Sequence, residues 1–415
     1  MSLLKLQRLT RRLNKLLLLG CLPFLFVSCN NDDDFYNDQG TGEKVKIELD
    51  VQQRVIQKKG NDFANRLIAH VVKENENALV SPLSLQVALG MLANGANEQA
   101  CNEISATLGL QDNSLYELNR YHQVVMEGII NEQDPEVELA LSNSLWLSKN
   151  LTAKENFINN LRTYYGASLN SIDFSKAEQA KREINSWANE ATKGMIKDLQ
   201  LPVSTSTAFV LSNACYFDGQ WFSPFDKKDT FADFFTTEDG NVQKVSMMHK
   251  NEWTIYTENE NYQLVYLGFG NASFGIMFVL PKEGKNIKEV LPTIDWDISN
   301  ITHTNNVDLS LPKFKMEIFT ELNKTLQDMG IRTVFESNSF PNISDNLALA
   351  WAQQNTCFEI DESGVKASTV TSVEGLEQSS GPTNVTMKID RPFLFAIREN
   401  SSGALLYMGK IASVE

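Results

Sequence analysis

The chain has 415 residues, of which 42% are hydrophobic and 21% charged, a composition typical of a folded globular protein. Its formal net charge of −15 argues against nucleic acid or an anionic lipid surface as a partner. The sequence contains no internal repeat and no long low-complexity stretch, so we expect one large hydrophobic core rather than a repeat array.

The beginning of the chain has the features of a signal peptide. Basic residues are followed by a short apolar run over residues 16–27. That run is too short for a stable membrane-spanning helix, which needs about 20 residues. It ends in FVSC at residues 26–29, which resembles a bacterial lipobox. We therefore predict a lipoprotein signal peptide over residues 1–28 and lipidation at Cys29.

Residues 29–46 are polar and contain glycine, which predicts a flexible acidic linker. The linker starts with NNDDD at residues 30–34, and an acidic run at this place resembles the surface-export signals of some Gram-negative lipoproteins. A solvated spacer is the alternative interpretation. We expect an outer-membrane lipoprotein that faces the cell exterior, with a periplasm-facing position as the alternative. The remaining residues, 47–415, are predicted to form one domain.

Helical periodicity dominates the first part of that domain. Apolar residues at helical spacing predict an amphipathic helix around residues 63–72. Ser81 is expected to cap a second helix, which has Pro82 in its first turn and runs to about Ala93. Because this helix is apolar nearly all round, we predict that it is buried. A third helix is expected to run through Ile104.

Later segments have the composition of strands. Helices early and strands late, without regular alternation, predict an α+β fold. Two of the strands are expected to pair through a turn at residues 270–271, and the last strands to turn at residues 400–403. The predicted elements are strands over 139–147, 207–217, 262–267, 274–280 and 309–316, a helix over 320–329, and a run of strands over 385–411.

The sequence shows no pattern of a common enzyme or metal site. His70, His122, His249 and His303 lack the spacing of metal ligands, and we expect the last three at the surface or in turns. No nucleophile elbow and no phosphate-binding loop occurs. We therefore expect no metal, no cofactor and no enzymatic activity.

Three widely spaced cysteines, Cys101, Cys215 and Cys357, lie in apolar runs of the predicted domain. Their odd number and spacing give no disulfide framework. We expect them to be buried thiols.

Residues 359–381 are the most informative stretch of the chain. They begin as a strand and end as an exposed loop, although small and β-branched residues lie between. No proline interrupts residues 362–381, so every backbone N–H could join a β-ladder. A loop that is chemically suited to become a central strand indicates a conformational switch. Alternate residues form one small, uncharged face that tolerates burial: Val365, Ala367, Thr369, Thr371 and Val373.

Motifs from about residue 47 to the C-terminus together resemble the serpin family and occur in its order. The resemblance implies a helix-rich half, a large mainly antiparallel sheet, a second smaller sheet or barrel, and an exposed reactive-centre loop over about residues 362–390. The motifs are NALVSPLS at 77–84, NSWANEATKGMI at 185–196, LSNACYFDGQW at 211–221, ESGVKAS at 362–368, RPFLFAI at 391–397 and YMGKI at 407–411.

The resemblance also implies a mechanism. A target endopeptidase attacks the loop and forms an acyl-enzyme, and the freed part of the loop then inserts into the main sheet with the protease attached. An inward-facing proline or charge would oppose insertion, and the inward positions contain neither. The implied hinge residues are Glu362, Gly364, Val365, Ala367, Thr369 and Thr371.

The same resemblance assigns residues to two further places. Lys313 and Glu362 match the pair that closes the top of the sheet, and Trp221 matches the aromatic residue packed beneath it. The alternative roles are purely structural: a surface ion pair, a core aromatic residue, a helix cap and a satisfied buried amide. The positions that match the polar cluster under the parting strands are Ser81, Ser84, Asn213 and Gln354.

Counting from Glu362 places the scissile bond at Gln378–Ser379, and Leu376 and Glu377 are alternates. Residues 367–387 contain no Lys or Arg, which disfavours trypsin-like proteases because their pocket pairs a cation with a buried acid.

The function predicted from these residues is inhibition of serine endopeptidases, with cysteine endopeptidases as a second class, by loop cleavage and insertion. A non-inhibitory surface binding protein with the same fold is the alternative. The expected partners are the target protease, in a covalent complex, and a lipid anchor, with no nucleic acid. We expect a monomer.

Overall fold

The computed structural model describes residues 46–110, 115–131, 134–199, 201–299, 301, 304–365 and 385–414. These residues belong to one compact unit, and none of their helices is both long and apolar enough to cross a membrane. The α-helices are α1 (Val51–Val71), α2 (Pro82–Gly95), α3 (Glu98–Thr107), α4 (Leu115–Asn131), α5 (Glu155–Tyr165), α6 (Ala177–Ala191), α7 (Ile287–Val290) and α8 (Asn323–Asp328).

The strands form two sheets, which confirms the predicted α+β class. The first strands are β1 (Ala78–Val80), β2 (Val137–Ser148), β3 (Ser168–Ile172), β4 (Phe209–Gln220), β5 (Thr230–Thr236), β6 (Val242–Glu258), β7 (Tyr262–Phe269) and β8 (Phe274–Pro281). The later strands are β9 (Thr304–Pro312), β10 (Phe314–Glu321), β11 (Gln353–Ile360), β12 (Gly364–Val365), β13 (Val385–Lys388), β14 (Phe393–Glu399) and β15 (Leu405–Ile411).

The nine-stranded sheet has the order β1-β15-β14-β8-β7-β6-β9-β13, with β5 on the other part of the long strand β6. Every residue of β8, β14 and β15 is buried, because these strands lie in the middle of the sheet and are covered on both faces. Phe395 is fully buried between stacked or tilted rings, including that of Phe358 at 4.6 Å between centroids. This sheet forms the centre of the hydrophobic core.

The six-stranded sheet has the order β10-β11-β12-β4-β2-β3. β12 is only two residues long and pairs antiparallel with β11 on one side and β4 on the other. β4 and β11 therefore run parallel to each other. Among the described residues, no β-ladder joins β4 and β11 directly, and the two strands are connected within the sheet by the two residues of β12.

The helix predicted around residues 63–72 exists as α1, but it begins much earlier, at Val51. Asp50 and Gln53 make a reciprocal capping box at the start of α1, with hydrogen bonds of 2.8 and 3.0 Å. α2 has Pro82 in its first turn and is buried along nearly its whole length, as predicted. Ser81 stands at the N-cap position, but its side chain makes no cap hydrogen bond, so the predicted capping role is wrong.

Two further element boundaries, both around β10, differ from the sequence prediction. The predicted strand 309–316 is two strands, β9 and β10, which belong to different sheets and are separated at Lys313. The predicted helix 320–329 is shorter, because Thr320 and Glu321 pair with β11 and extend the strand instead. In both cases pairing with a distant strand overrides the local preference.

Two expectations about side chains are also wrong. His122 is not at the surface: it is fully buried on α4, and burial lowers its pKa to about 3, so it is neutral at physiological pH. Cys101, Cys215 and Cys357 form no disulfide, as expected, but each is partly accessible rather than buried.

Candidate functional site

The predicted hinge begins in a tight turn over residues 361–364, which is held by the segment that leaves β4. The indole Nε1 of Trp221 donates to the carbonyl of Asp361 at 2.9 Å, and its backbone N–H donates to the carbonyl of Ser363 at 2.9 Å. The backbone N–H of Phe225 donates to the carbonyl of Glu362 at 2.9 Å. Three consecutive carbonyls of the turn are therefore satisfied by two residues of one segment.

Gly364 and Val365 place the start of the loop between β4 and β11. Gly364 has a φ of +154°, and a Cβ there would lie 2.1 Å from the carbonyl oxygen of Gly219. Only glycine fits so close to a neighbouring backbone. Val365 is buried and pairs with Gly219 on one side and Ile360 on the other. The first residue of the predicted inward face thus already occupies a central strand position.

Lys313 and Glu362, which the resemblance paired, are in contact. Lys313 Nζ donates to Glu362 Oε2 at 2.7 Å, and the two side chains are 35% and 7% exposed. Burial opposes ionisation of Glu362, but the hydrogen bond from Lys313, further hydrogen bonds to the carboxylate and the charge of Lys313 together outweigh it. The pKa of Glu362 is therefore lowered. Because Lys313 separates β9 from β10, the pair fastens the hinge to the point where the two sheets meet.

Trp221, which the resemblance assigns to a place beneath this pair, contacts the adjacent turn through its hydrogen bonds to Asp361 and Ser363. Its buried ring stacks on Phe269, with centroids 4.9 Å apart, and meets the edge of Phe225 at 6.0 Å. The ring is therefore fixed by packing, while its Nε1 reaches the hinge.

A first group of polar contacts joins β11 to the start of α2. Gln354 Nε2 donates to the carbonyl of Ser81 at 2.9 Å, and the Ser81 N–H donates back to Gln354 Oε1 at 3.1 Å. The Ser81 hydroxyl donates to the carbonyl of Leu406 at 2.7 Å, which explains why it does not cap the helix. β11 is thus held to α2 by a reciprocal amide contact.

A second group joins β4 to α2 and β2. The Ser84 hydroxyl donates to Asn213 Oδ1, and Asn213 Nδ2 donates to Asn143 Oδ1 at 2.6 Å. Asn143 Nδ2 in turn donates to the carbonyl of Tyr165 at 2.8 Å. β4 and β11 are therefore each fastened to α2 separately and not to each other.

Cavities follow the boundary between β4 and β11. One of about 70 Å³ is lined by residues 211–215 of β4 and 353–356 of β11, and it is large enough for several water molecules. Two further cavities, of about 80 and 250 Å³, lie towards Trp351, with residues 346–351 lining the larger one. Space thus continues along the line on which a strand following Val365 would run.

Two contributors to this site were missed by sequence reasoning. Asn143 lies on β2, and Tyr407 on β15 donates from its hydroxyl to the carbonyl of Cys215 at 2.9 Å. Tyr407 belongs to a motif that carried the resemblance, but nothing local indicates its partner 192 residues away. Only the register of the sheets brings these groups together.

Several predicted site residues lie outside the described part of the chain. They are Ala367, Thr369, Thr371, Leu376, Glu377, Gln378, Ser379 and the lipidation residue Cys29. Among the described residues, no group of three or more His, Cys, Asp or Glu side chains is arranged to hold a metal ion.

Comparison with known proteins identifies the family. The family model described as serpin (serine protease inhibitor) matches residues 58–414. The chain is a serpin. Most serpins inhibit proteases, and serpins generally form complexes with the proteases they target.

Related proteins cover this serpin almost completely. An uncharacterised serpin-like protein of Methanosarcina mazei is 29% identical over 96% of this chain and 97% of its own length. The crystal structure of tengpin, a thermophilic serpin, in the native state is 30% identical, with a TM-score of 0.80 over 88% of this chain and 96% of tengpin. A complex of thyroxine-binding globulin with thyroxine is 28% identical, with a TM-score of 0.77 over 87% of this chain and 99% of that protein.

Proposed function

We propose that this serpin inhibits serine endopeptidases, and as a second class cysteine endopeptidases, by cleavage of its loop and insertion of the cut end between β4 and β11. One observation carries the proposal: β12 starts a strand between two parallel neighbours that have no ladder with each other among the described residues. Two parallel strands offer free donors and acceptors on both sides of such a strand.

Insertion is energetically reasonable for this loop. From Val365 to Gln378 the chain has 14 residues, which span about 45 Å when extended. Ordering them costs about 1–2 kcal/mol per residue. Each inserted residue gains ladder bonds of about 1 kcal/mol on either side, and burial of the small inward face adds to that. Before cleavage the loop is tethered at both ends, which makes insertion slow, so the intact form is protected by a kinetic barrier.

The proposed scissile bond is Gln378–Ser379, with cleavage at Leu376 or Glu377 as alternatives. Elastase-like, subtilisin-like, chymotrypsin-like and papain-like proteases fit this stretch, because residues 367–387 offer no cation to a trypsin-like pocket.

Incubation with elastase and with subtilisin tests the proposal. We expect a covalent complex on a denaturing gel, cleavage at Gln378–Ser379 by mass spectrometry, and a higher melting temperature of the cleaved serpin. Trypsin serves as the matched control and should yield no complex through this loop. Clean nicking without a complex and without a rise in melting temperature would contradict the proposal.

A second candidate function, binding of a small molecule, is favoured by one cavity. It has a volume of about 320 Å³ and lies between α1, residues 294–299 and the turn 400–403. Arg398, whose side chain is 4% exposed, lines this cavity, and its Nε is buried without a hydrogen-bond partner. Trp296 and Asn65 line the same cavity, and their atoms Nε1 and Oδ1 are likewise buried without hydrogen-bond partners. A ligand with both acceptor and donor groups would satisfy all three atoms.

Calorimetric titration tests this second candidate, with thyroxine as the first probe because a related protein is described in complex with it. Micromolar or tighter binding by the parent, lost in Arg398→Met, would support it. Equal heats from both proteins would count against it.

The membrane anchor is a separate proposal. We propose that Cys29 carries the lipid and that the serpin faces the cell exterior from the outer membrane. Metabolic labelling with an alkyne fatty acid should mark the parent and not Cys29→Ala. Cys21→Ala is the matched control, because Cys21 lies inside the apolar run and should leave the label unchanged. Protease treatment of whole cells then distinguishes the exterior from the periplasmic face.

A further inference from the structure

A lysine of the nine-stranded sheet lies against the segment that holds the hinge. Lys250, on β6, has a side chain that is 9% exposed. Its Nζ donates to the carbonyl of Ser223 at 2.8 Å, and it lies 4.4 Å from the ring centroid of Phe225 and 6.0 Å from that of Trp221. A single ammonium group thus contacts the beginning, middle and end of residues 221–225.

Residues 221–225 are the first part of the connection between the two sheets. β4 of the six-stranded sheet ends at Gln220, and β5 of the nine-stranded sheet begins at Thr230. On one side this connection carries the three hydrogen bonds that hold the hinge carbonyls. On the other side it is fastened to β6 by Lys250. The hinge is therefore linked to the nine-stranded sheet through this side chain. The same segment also contacts β7, by a hydrogen bond of 2.9 Å from the Phe222 N–H to the Gly268 carbonyl and by the stack of Trp221 on Phe269.

An ammonium group is unusual at a buried position, because burial removes the water molecules that hydrate the charge. Burial lowers the pKa of Lys250, and an ion pair with the partly buried Glu252 acts in the opposite direction. A charged donor makes a stronger hydrogen bond to a carbonyl than a neutral one, and a cation over an aromatic ring is attracted to its face. These contacts give Lys250 a holding role that an apolar side chain of the same length would not have.

We propose that Lys250 is a positioning residue for loop insertion: by fastening residues 221–225 to β6, it keeps the turn 361–364 in place until the loop is cut. The inference rests on the proposed inhibitory function, but its central measurement needs no protease. Loss of Lys250 frees the connection, so the hinge opens more often in the intact protein.

Amide hydrogen exchange of the intact serpin measures this opening. In Lys250→Met, the amides of Trp221 and Phe225 should exchange about tenfold faster or more than in the parent, because they open locally. The amide of Phe395, in the middle of the nine-stranded sheet, should keep its rate. A similar rise at Phe395 would mean general destabilisation and would overturn the inference, as would unchanged rates at Trp221 and Phe225.

Three further variants complete the test. Lys250→Arg retains a donor and a cation and should restore the parent exchange rates to within about twofold. Lys410→Met removes another buried lysine, 1% exposed and paired with Glu238, and should not accelerate Trp221 more than Phe395. If Lys250→Met does not fold, Glu252→Gln should give a smaller rise confined to Trp221 and Phe225, and no rise there overturns the inference.

The half-life of inhibitory activity gives the functional readout. During storage at a fixed temperature, Lys250→Met should lose activity faster than the parent while its chain stays intact on a gel, because an unfastened hinge admits the uncut loop. An unchanged half-life contradicts the role in insertion. If the parent forms no covalent complex with any protease, the proposed function fails, whereas the exchange rates still decide whether Lys250 holds the hinge.

Discussion

The two sheets of this serpin are built in contrasting ways. The nine-stranded sheet buries all residues of β8, β14 and β15, and its strands pair continuously with their neighbours. The six-stranded sheet has a two-residue strand at its centre, cavities beside it, and polar groups that tie β4 and β11 to α2 instead of to each other. The first sheet is held by apolar burial, and the second by a few directional contacts.

Because of this contrast, the nine-stranded sheet resists opening, whereas the six-stranded sheet is suited to open. Opening a sheet that is held by apolar packing exposes a large buried area at once, so such a sheet resists opening. Hydrogen bonds between single side chains are local, and exchanging them for bonds to an incoming strand changes little in net energy. A molecule that must admit a strand therefore benefits from placing polar fastenings where the strand enters.

The strongest test of the contrast is a charge on the inward face of the loop. Thr369→Arg should reduce the yield of covalent protease complex at least tenfold, because insertion would bury an unpaired charge. The protein should then be cleaved as an ordinary substrate, as measured on a denaturing gel with subtilisin. Ser368→Arg, on the opposite face, is the matched control and should retain complex formation. Equal trapping by the parent and Thr369→Arg would show that this face does not enter the sheet.

A large loss of stability is expected from a substitution in the nine-stranded sheet. Phe395→Ala should lower the free energy of unfolding by about 3–5 kcal/mol, because it leaves a cavity among closely packed rings. Denaturant unfolding should show the loss both before and after loop cleavage, since this sheet does not take part in insertion. A loss confined to the intact form would contradict the division between the two sheets.

A smaller effect is expected at the top of the six-stranded sheet. Glu362→Gln should destabilise the intact form by about 1–2 kcal/mol, because Lys313 loses a charged acceptor next to the hinge. Glu359→Gln provides the control: Glu359 also lies 2.7 Å from a lysine, Lys315, but the two side chains are 38% and 64% exposed. An exposed pair contributes about 0–1 kcal/mol, so this change should be nearly silent in thermal unfolding. Equal effects of the two substitutions would argue against a special role of burial at the hinge.

The smallest expected effect is the loss, at acid pH, of the stability that Glu362 contributes. The pKa of Glu362 is lowered in the folded protein from its ordinary value of 4.5, so its ionised form stabilises the fold above that value. The contribution should disappear as the pH falls below 4.5 towards the lowered pKa. The difference in melting temperature between the parent and Glu362→Gln should therefore shrink over that range. A difference that grows with acid would give the opposite sign and contradict this assignment.

Much of the fold was predictable because its signals are local or carried by motifs. The buried helix α2 is apolar on all sides, and the pair β7 and β8 has alternating or apolar runs around a turn. The boundaries near Lys313 and Thr320 were not predictable, because the chain there passes from one sheet to the other or continues a strand on a distant partner. An apolar run alone does not tell which sheet it joins.

For the candidate site too, one part was predictable from the sequence and another part was not. Its residue types were recognisable from motifs, including Lys313 with Glu362 and Ser84 with Asn213, and the structure brings each pair into contact. The roles of single atoms were not recognisable. Ser81 looks like a helix cap in sequence, yet its hydroxyl is taken by a carbonyl 325 residues away. Such a choice depends on β15 lying beside α2, which no local pattern encodes.

The three thiols described above carry a last consequence. Because Cys101, Cys215 and Cys357 are unlinked, no covalent bond crosses between the halves of the six-stranded sheet in this part of the molecule. The sheet can then widen without any thiol chemistry. We expect a reducing agent to leave the rate of protease capture unchanged, which would let this serpin work equally well in aerated and anoxic surroundings.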